Sequence, residues 1–322
     1  MLDILSFSFS YSFFLESCGK LSLNDCLPNY RGMKTVLVTG ATGFLGHHVV
    51  KELLKENDVR VIAIEGRKED HPFDLVHNER LVIYPPEGLF GELLQPIDVA
   101  INCAFLRTHD AEIMTHNFDH TEHEIRRFEE LKINTVINIS TQGVYKRLPK
   151  GNLSSEDSPI IPIDVYSMAK YATEKMFLLS SIPHVVNVRL ASLMMPQRFL
   201  YFFVQNAKNG VPFTVIAPNQ YASLFDVNDA AAGLVAIAMM DPEKCAKVYN
   251  LGTGTQYSLL EYAESVKRIG DSLGYDVQFE VDDNRVAVCA GMDSSRVMHD
   301  TGWTPKVLKD EMIAHLFKEP ID

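Results

Sequence analysis

The chain has few cysteines, and their spacing matches neither a disulfide framework nor a paired metal motif. Its 322 residues include five cysteines, none of them in a CxxC pair: Cys18, Cys26, Cys103, Cys245 and Cys289. An odd number without paired spacing suits a reducing compartment better than a disulfide-stabilised secreted domain. We therefore expect a cytoplasmic location.

Clusters of positive charge are also missing. The formal net charge is -12 at pH 7, and no run of basic residues occurs. Because proteins that bind nucleic acids through their phosphates need clustered Lys and Arg, we expect no nucleic-acid partner.

No apolar stretch is long enough to cross a bilayer. Residues 2–15 are mostly apolar but too short for a membrane span, and Asp3 stands where a signal peptide would carry Lys or Arg. We expect no membrane partner and no targeting role for this stretch. Residues 1–32 are interpreted as an N-terminal extension without an assigned role.

Beyond residue 33, apolar runs alternate with segments of helical periodicity. Six of these runs are predicted to be buried strands, at residues 35–38, 59–64, 81–84, 99–103, 136–139 and 185–190. Uniformly apolar strands separated by helices are typical of α/β proteins with a doubly wound parallel sheet, whose ligands bind at the carboxyl ends of the strands.

The pattern changes after residue 190, which predicts a second part of the molecule. Methionine, proline and aromatic residues follow there, and helical periodicity returns at residues 229–240, 259–273 and 307–317. We expect residues 33–190 and 221–252 to form a dinucleotide-binding domain. Residues 191–220 and 253–322 are expected to form a smaller, interwoven substrate-binding lobe.

A glycine-rich loop lies between the first predicted strand and the first helix. It reads Gly40-Ala-Thr-Gly43-Phe-Leu-Gly46, and such glycines allow a tight turn in which backbone N–H groups approach a pyrophosphate. The second strand ends at Glu65, where a carboxylate can accept hydrogen bonds from the adenosine ribose. This favours NAD over NADP, because a carboxylate repels a 2'-phosphate. Arg67 and Lys68 could offset that repulsion, so NADP stays an alternative.

Tyr166 and Lys170 lie four residues apart, which places a phenol and an ammonium on one face of a helix. A nearby positive charge lowers the pKa of a phenol and suits it to proton transfer near neutral pH. The predicted strand at 136–139 runs into Ser140 and Thr141, and a hydroxyl there would reach the same edge of the sheet. Thr141 is the favoured hydroxyl, and Ser140 is the competing candidate.

Together these motifs resemble the NAD-dependent epimerase/dehydratase family of the extended short-chain dehydrogenases/reductases, a Rossmann-type fold. The likeness runs from Lys34 to about Pro305, through TGATGFLG, the strand motif at 98–104, Asn117, STQGVY and YSMAK. It implies that Tyr166 moves the substrate hydroxyl proton, that Lys170 holds ribose and tunes Tyr166, and that Thr141 binds the substrate oxygen. It also implies a homodimer and an NAD site formed by Gly40, Thr42, Gly43, Phe44, Leu45, Gly46, Glu65, Cys103, Ala104, Asn117, Tyr166 and Lys170.

The chain departs from the family pattern at positions that concern the substrate. Gln142 and Gly143 stand where dehydratases carry an Asp-Glu pair, which disfavours 4,6-dehydration. Residues 220–224 lack the arginine that often holds a nucleotide diphosphate. Arg198 and Arg285 are the candidate replacements, and Gln142 is a third candidate for substrate binding.

Three histidines have a spacing that could bind zinc. His116, His120 and His123 share a helical face. In the resembling family this helix turns Asn117 towards the cofactor, so the histidines are interpreted as lying on a solvated or dimer-facing side. We expect no metal site.

Three functions fit this pattern. The favoured one is an NAD-dependent epimerase or reductase of a sugar, with a nucleotide-linked sugar as the expected substrate. The first alternative is a reductase or dehydrogenase of a small carbonyl compound without a nucleotide. The second is a non-catalytic NAD(P)-sensing protein, which would have no need of Tyr166.

Overall fold

A seven-stranded parallel sheet forms the centre of the compact unit that begins at Lys34. The computed structural model describes residues 32–66, 77–86, 96–108, 110–148, 151–196, 198–283 and 290–319. Counted along the chain, the strands of this sheet are β1 (Lys34–Thr39), β2 (Val59–Ile64), β3 (Leu81–Tyr84), β4 (Val99–Asn102), β5 (Thr135–Thr141), β6 (His184–Leu190) and β11 (Val248–Leu251). Their order is β11-β6-β5-β4-β1-β2-β3, which confirms the predicted doubly wound sheet.

Helices cover both faces of this sheet because its strands are apolar on both sides. One face packs against α1 (Phe44–Leu53) and α5 (Val227–Met239), and the core there includes Val50 and Leu234. The other face packs against α2 (Ala111–Glu130) and α3 (Val165–Leu178), and its core includes Phe128 and Phe177. From β1 the chain adds β2 and β3 on one side and β4, β5, β6 and β11 on the other, so the strand order reverses between β1 and β4, where doubly wound folds form their ligand crevice.

A ladder of polar side chains crosses the buried middle of the sheet. The Thr39 hydroxyl donates to Asn102, whose amide donates to Asn138, and Asn138 in turn donates to Asn187. These four side chains are in register on four adjacent strands and are almost completely buried. Because a one-residue slip would leave buried amides without partners, the ladder helps to fix the strand register.

A separate hydrophobic core lies in the later part of the chain. It is formed by α4 (Phe199–Lys208), α6 (Leu259–Ser272) and α8 (Lys309–Lys318), together with the parallel pair β8 (Phe213–Ile216) and β13 (Phe279–Asp282). Phe203 stacks on Phe213 with ring centroids 4.4 Å apart, which ties α4 to β8.

Short elements complete this region and connect it to the sheet. Four strands of two residues each form two pairs. In these pairs, β7 (Ser192–Leu193) lies beside β10 (Leu224–Phe225), and β9 (Tyr221–Ala222) lies beside β12 (Tyr257–Ser258). Helix α7 (Ser295–Thr301) packs beside β11. Within the residues that the structure describes, no helix is both long and apolar enough to span a membrane.

Candidate active site

The glycine-rich loop forms a tight turn between β1 and α1. Gly40 has a φ of +62°, and a Cβ at this position would approach the backbone of Ala104 to 2.9 Å. A Cβ on Gly46 would come within 2.1 Å of the Gly40 carbonyl oxygen. The loop therefore excludes side chains at both positions, as a tight turn requires, and its approach to a pyrophosphate stays a prediction.

The N-terminus of α1 fits a pyrophosphate. Gly43 caps the helix without a side chain, and its first turn contains no acidic residue. Free N–H groups at a helix N-terminus attract anions, and here neither a side-chain cap nor a carboxylate competes with them. The position of this helix end beside the β1–β4 crevice is therefore suited to a dinucleotide cofactor.

Thr42 and Glu65 connect the loop to the end of β2. The Thr42 side chain is buried, and its Oγ1 accepts a hydrogen bond of 2.9 Å from the backbone N–H of Gly66. This contact holds Glu65, the residue directly after β2, beside the glycine loop. Thr42 thus helps to organise the site, and its predicted contact with the cofactor stays a prediction.

The predicted catalytic residues line one cavity of 430 Å³ at the carboxyl edge of the sheet. Thr141 ends β5, and α3 carries Tyr166 and Lys170 on its first two turns. Asp164 begins this helix, since its carboxylate accepts a hydrogen bond of 2.7 Å from the Ser167 N–H. Four other residues predicted for the site also line the cavity: Leu45, Cys103, Gln142 and Arg198.

Ser140 and Thr141 have different surroundings. The Ser140 hydroxyl donates to Glu174 at 2.5 Å, and Glu174 also forms two hydrogen bonds with Arg189 in a buried ion pair. The Thr141 hydroxyl accepts from the Gly143 N–H at 3.2 Å, which leaves its proton available to a ligand in the cavity. Of the two candidates, Thr141 is thus the hydroxyl better placed for chemistry.

Burial and two arginines set the pKa of Tyr166. Burial raises the pKa of the phenol above its ordinary value near 10, and the positive charges of Arg107 and then Arg198 oppose this shift. The guanidinium carbon of Arg107 lies 5.7 Å from the centroid of the Tyr166 ring. The sequence assigns the tuning of this phenol to Lys170, and that role stays a prediction.

Lys170 is deeply buried against an aromatic ring. Its Nζ lies 3.9 Å from the centroid of the Phe105 ring, which itself packs edge-on against Tyr166. Burial lowers the pKa of Lys170 to about 7, although the nearby Cys103 and Glu174 act in the opposite direction. The amine is therefore poised between its charged and neutral forms near neutral pH.

Asn117 acts on the loop after β4. Its side-chain amide accepts from the Leu106 N–H and donates to the Leu106 carbonyl, both at 2.9 Å. Asn117 is 3% exposed, and its amide is occupied by this backbone. Its side chain thus holds residues 105–107 in place beside the cavity, and the cofactor contact expected from the sequence stays a prediction.

The chain matches the model of one known protein family. The model of the NAD dependent epimerase/dehydratase family matches residues 36–252. The chain belongs to this family. It is thus an NAD-dependent enzyme of the extended short-chain dehydrogenase/reductase type, as predicted.

Two relatives align over most of this family member. It is 26% identical to the low-salt glycan biosynthesis protein Agl12 of Haloferax volcanii, over 84% of this chain and 93% of the relative. It is 24% identical to the uncharacterized UDP-glucose epimerase YtcB of Bacillus subtilis, over 73% of this chain and 81% of the relative.

A solved structure shares the fold of this family member. The UDP-glucuronic acid 4-epimerase of Bacillus cereus, crystallised with UDP-glucuronic acid and NAD, superposes with a TM-score of 0.70 at 22% identity. The match covers 88% of this chain and 98% of the epimerase. The central sheet and the later core therefore belong to one known architecture.

The residues predicted to bind the substrate of this enzyme have different surroundings. Gln142 donates from Nε2 to the Ser192 hydroxyl at 2.8 Å, while its buried Oε1 has no hydrogen-bond partner in the described structure. Arg198 donates from Nε to the Leu193 carbonyl at 3.3 Å. Arg285, and also Arg67 and Lys68, lie outside the described residues.

Sequence reasoning missed Phe105 and Arg107. Both follow β4, whose carboxyl end borders the crevice, so the rule that ligands bind at strand ends was the available signal. The family motif that covers β4 ends at Ala104, one residue before Phe105 and three before Arg107.

The three histidines of α2 are exposed on the helix surface. Across the described ranges, no group of three His, Cys, Asp or Glu side chains has an arrangement that could hold a metal ion. The structure thus provides no support for zinc binding by these histidines.

Proposed function

We propose that this enzyme is a nucleotide-sugar epimerase that inverts a carbon of the sugar ring through a keto intermediate. The observation that carries the proposal is the convergence of Thr141, Tyr166 and Lys170 on one cavity beside the glycine loop. A hydroxyl, a phenol and an amine around one cavity form a set that can take a proton from a secondary alcohol and return it.

In the proposed mechanism, Tyr166 acts as the proton acceptor and donor. Its phenolate takes the proton of the sugar hydroxyl as the carbon loses its hydrogen, and the phenol later returns that proton to the reduced carbonyl oxygen. Thr141 donates a hydrogen bond to this oxygen and aligns it. When bound, NAD supplies the acceptor and donor of the hydride. Lys170 holds the ribose and favours the phenolate through its positive charge.

The relatives support a nucleotide-linked substrate. They include enzymes named for UDP-glucose 4-epimerisation, UDP-glucuronic acid decarboxylation and dTDP-glucose 4,6-dehydration. Gln142 and Gly143 replace the acidic pair expected of a dehydratase, so epimerisation is the reaction we favour. Reduction of a small carbonyl compound and a non-catalytic role receive less support from these relatives.

Replacing the phenol tests the mechanism. Tyr166→Phe should lower turnover of a UDP-sugar by about 100- to 10,000-fold, the usual contribution of an acid-base group, while NAD binding persists. Tyr171→Phe on the same helix is the matched control, since Lys175 covers its ring and it is not part of the proposed proton pathway. Full activity in Tyr166→Phe would refute the proposed role of the phenol.

We also propose that the enzyme forms a homodimer through α2 and α3. Large apolar side chains are exposed on these helices and at their ends, among them Ile113 at 42%, Met168 at 58% and Leu179 at 86%. Val165, Met168, Ala172 and Leu179 follow helical spacing along α3. This apolar stripe on α3, together with Ile113 on α2, suits burial against a second copy.

We further propose that the enzyme is located in the cytoplasm. Cys103 and Cys245 are free thiols in the structure, which agrees with a reducing environment. Fractionation of cells that express the tagged full-length chain would test it.

A further inference from the structure

The cavity is rich in positive charge although the chain as a whole is acidic. Three arginines line it, Arg107, Arg147 and Arg198, together with the amine of Lys170, whereas its one carboxylate among the described residues is Asp164. Asp164 already accepts a backbone hydrogen bond at the start of α3. With a net charge of -12 on the whole chain, this local surplus of cations is the opposite of what composition alone would give. It points to an anionic ligand.

Two of these arginines lie beside the phenol. The Arg107 guanidinium carbon is 5.7 Å from the Tyr166 ring centroid, and Asn117 fixes the backbone of the preceding residue, Leu106, through two hydrogen bonds. Arg107 is thus presented by an anchored loop, even though its side chain is exposed to the cavity and solvent.

Arg198 approaches the phenol from the segment before α4. It is partly buried, and its pKa is lowered first by this burial and then by the charge of Arg107. Within the described part of the chain, neither guanidinium forms an ion pair with a carboxylate. Two like charges that share a cavity repel each other, so an anion bound between them would be favoured.

We propose that Arg107 and Arg198 select a nucleotide sugar that carries a carboxylate next to the reacting carbon, as in a hexuronic acid. The proposal rests on the proposed function, because it takes Tyr166 as the group that meets the reacting hydroxyl. In a hexuronic acid that reacts at C4, the C5 carboxylate is the adjacent substituent. The diphosphate is attached to C1, at the opposite end of the ring, so an arginine beside the phenol is nearer to the carboxylate. Guanidinium groups also match carboxylates in geometry.

The test compares two substrates that differ at one carbon. The NAD-loaded enzyme is given UDP-glucuronate or UDP-glucose, and kcat/KM is measured for formation of each 4-epimer. UDP alone is titrated by calorimetry to report diphosphate binding. The wild type is expected to prefer UDP-glucuronate. Arg107→Gln should lower kcat/KM for UDP-glucuronate by about 10- to 150-fold more than it lowers kcat/KM for UDP-glucose, the effect of losing a hydrogen bond between charged groups. Loss of the Arg107 charge from the surroundings of Tyr166 affects both sugars alike and cancels in this ratio.

Two further variants separate charge from folding. Arg107→Lys keeps the charge without the paired donors and should recover part of the lost activity. Arg268→Gln is the matched control, because this arginine is exposed and pairs with Asp310 on the outside of the later core. Its kinetics should equal those of the wild type.

The outcomes distinguish this inference from the function on which it rests. Turnover of UDP-glucose with equal or higher efficiency than UDP-glucuronate would overturn the carboxylate selection but leave the epimerase proposal intact. Equal losses on UDP, UDP-glucose and UDP-glucuronate in Arg107→Gln would assign the arginines to the diphosphate instead. Failure of both sugars to react would refute the proposed function itself.

Discussion

At the scale of single residues, the surroundings of Tyr166 decide when it can act as a base. Burial holds the pKa of its phenol above 10 despite Arg107 and Arg198, and burial lowers the pKa of Lys170 to about 7. The protein without cofactor therefore keeps the phenol protonated at neutral pH. Bound NAD adds a positive charge to the cavity, which favours the phenolate and shifts its titration to lower pH.

Ultraviolet difference titration can test how burial and bound NAD change the pKa of Tyr166. The phenolate absorbance, compared between the wild type and Tyr166→Phe, should show that Tyr166 of the cofactor-free protein ionises at higher pH than a free tyrosine, because burial raises its pKa. Because a nearby positive charge stabilises the phenolate, saturation with NAD should move the difference signal to lower pH. A Tyr166 signal near pH 7 without NAD would contradict the role given to burial.

A buried polar network next to Thr141 explains why the hydroxyl of Ser140 is occupied while that of Thr141 is available to a ligand. Ser140 donates to Glu174, and Glu174 binds Arg189 through two hydrogen bonds. The same Arg189 donates to the Tyr145 hydroxyl at 2.8 Å, so β5, β6 and α3 meet in one polar cluster. Sequence spacing could place Ser140 and Thr141 at the sheet edge, but it could not show which hydroxyl was already occupied.

At the scale of helices and strands, the glycine loop is the element most sensitive to change. Gly46→Ala would place a Cβ 2.1 Å from the Gly40 carbonyl oxygen, so the start of α1 must shift. We expect a loss of about 1 to 3 kcal/mol in stability and an NAD affinity at least about 10-fold weaker. Thermal unfolding and calorimetric titration of NAD measure the two effects.

A control on the same helix separates the loop from the helix. Lys51→Ala removes an exposed side chain from α1 and should leave NAD affinity unchanged. If Gly46→Ala bound NAD as tightly as the wild type, the close approach of loop and helix would not be what forms the cofactor site.

Most elements were predictable from apolar patterning, and the exceptions have physical causes. The strands at 59–64 and 81–84 match their predicted bounds because polar or turn residues flank each apolar run. The two-residue pairs β7–β10 and β9–β12 are too short to show any periodicity. The position of Arg107 depends on the Asn117 contact with Leu106, a tertiary interaction that spacing along the chain does not reveal.

At the scale of the whole molecule, the exposed stripe on α3 predicts self-association. Met168→Glu would place a charge in the proposed dimer interface, and burying an unpaired charge is costly. Sedimentation velocity should find a dimer for the wild type and a monomer for this variant. Lys244→Glu, at an exposed site in the turn after α5, should remain dimeric. A monomeric wild type would contradict the dimer proposal.

The central claim is that the substrate carbon exchanges a hydride with NAD while Tyr166 handles the hydroxyl proton. The most direct measurement is to run the epimerisation of a UDP-sugar in D₂O and to examine the inverted carbon of the product by NMR. Because the hydride that leaves the carbon is the one that returns, the account predicts that this carbon keeps its original hydrogen. Solvent deuterium on the inverted carbon would show that it had been deprotonated by a base instead, and that result would contradict the account.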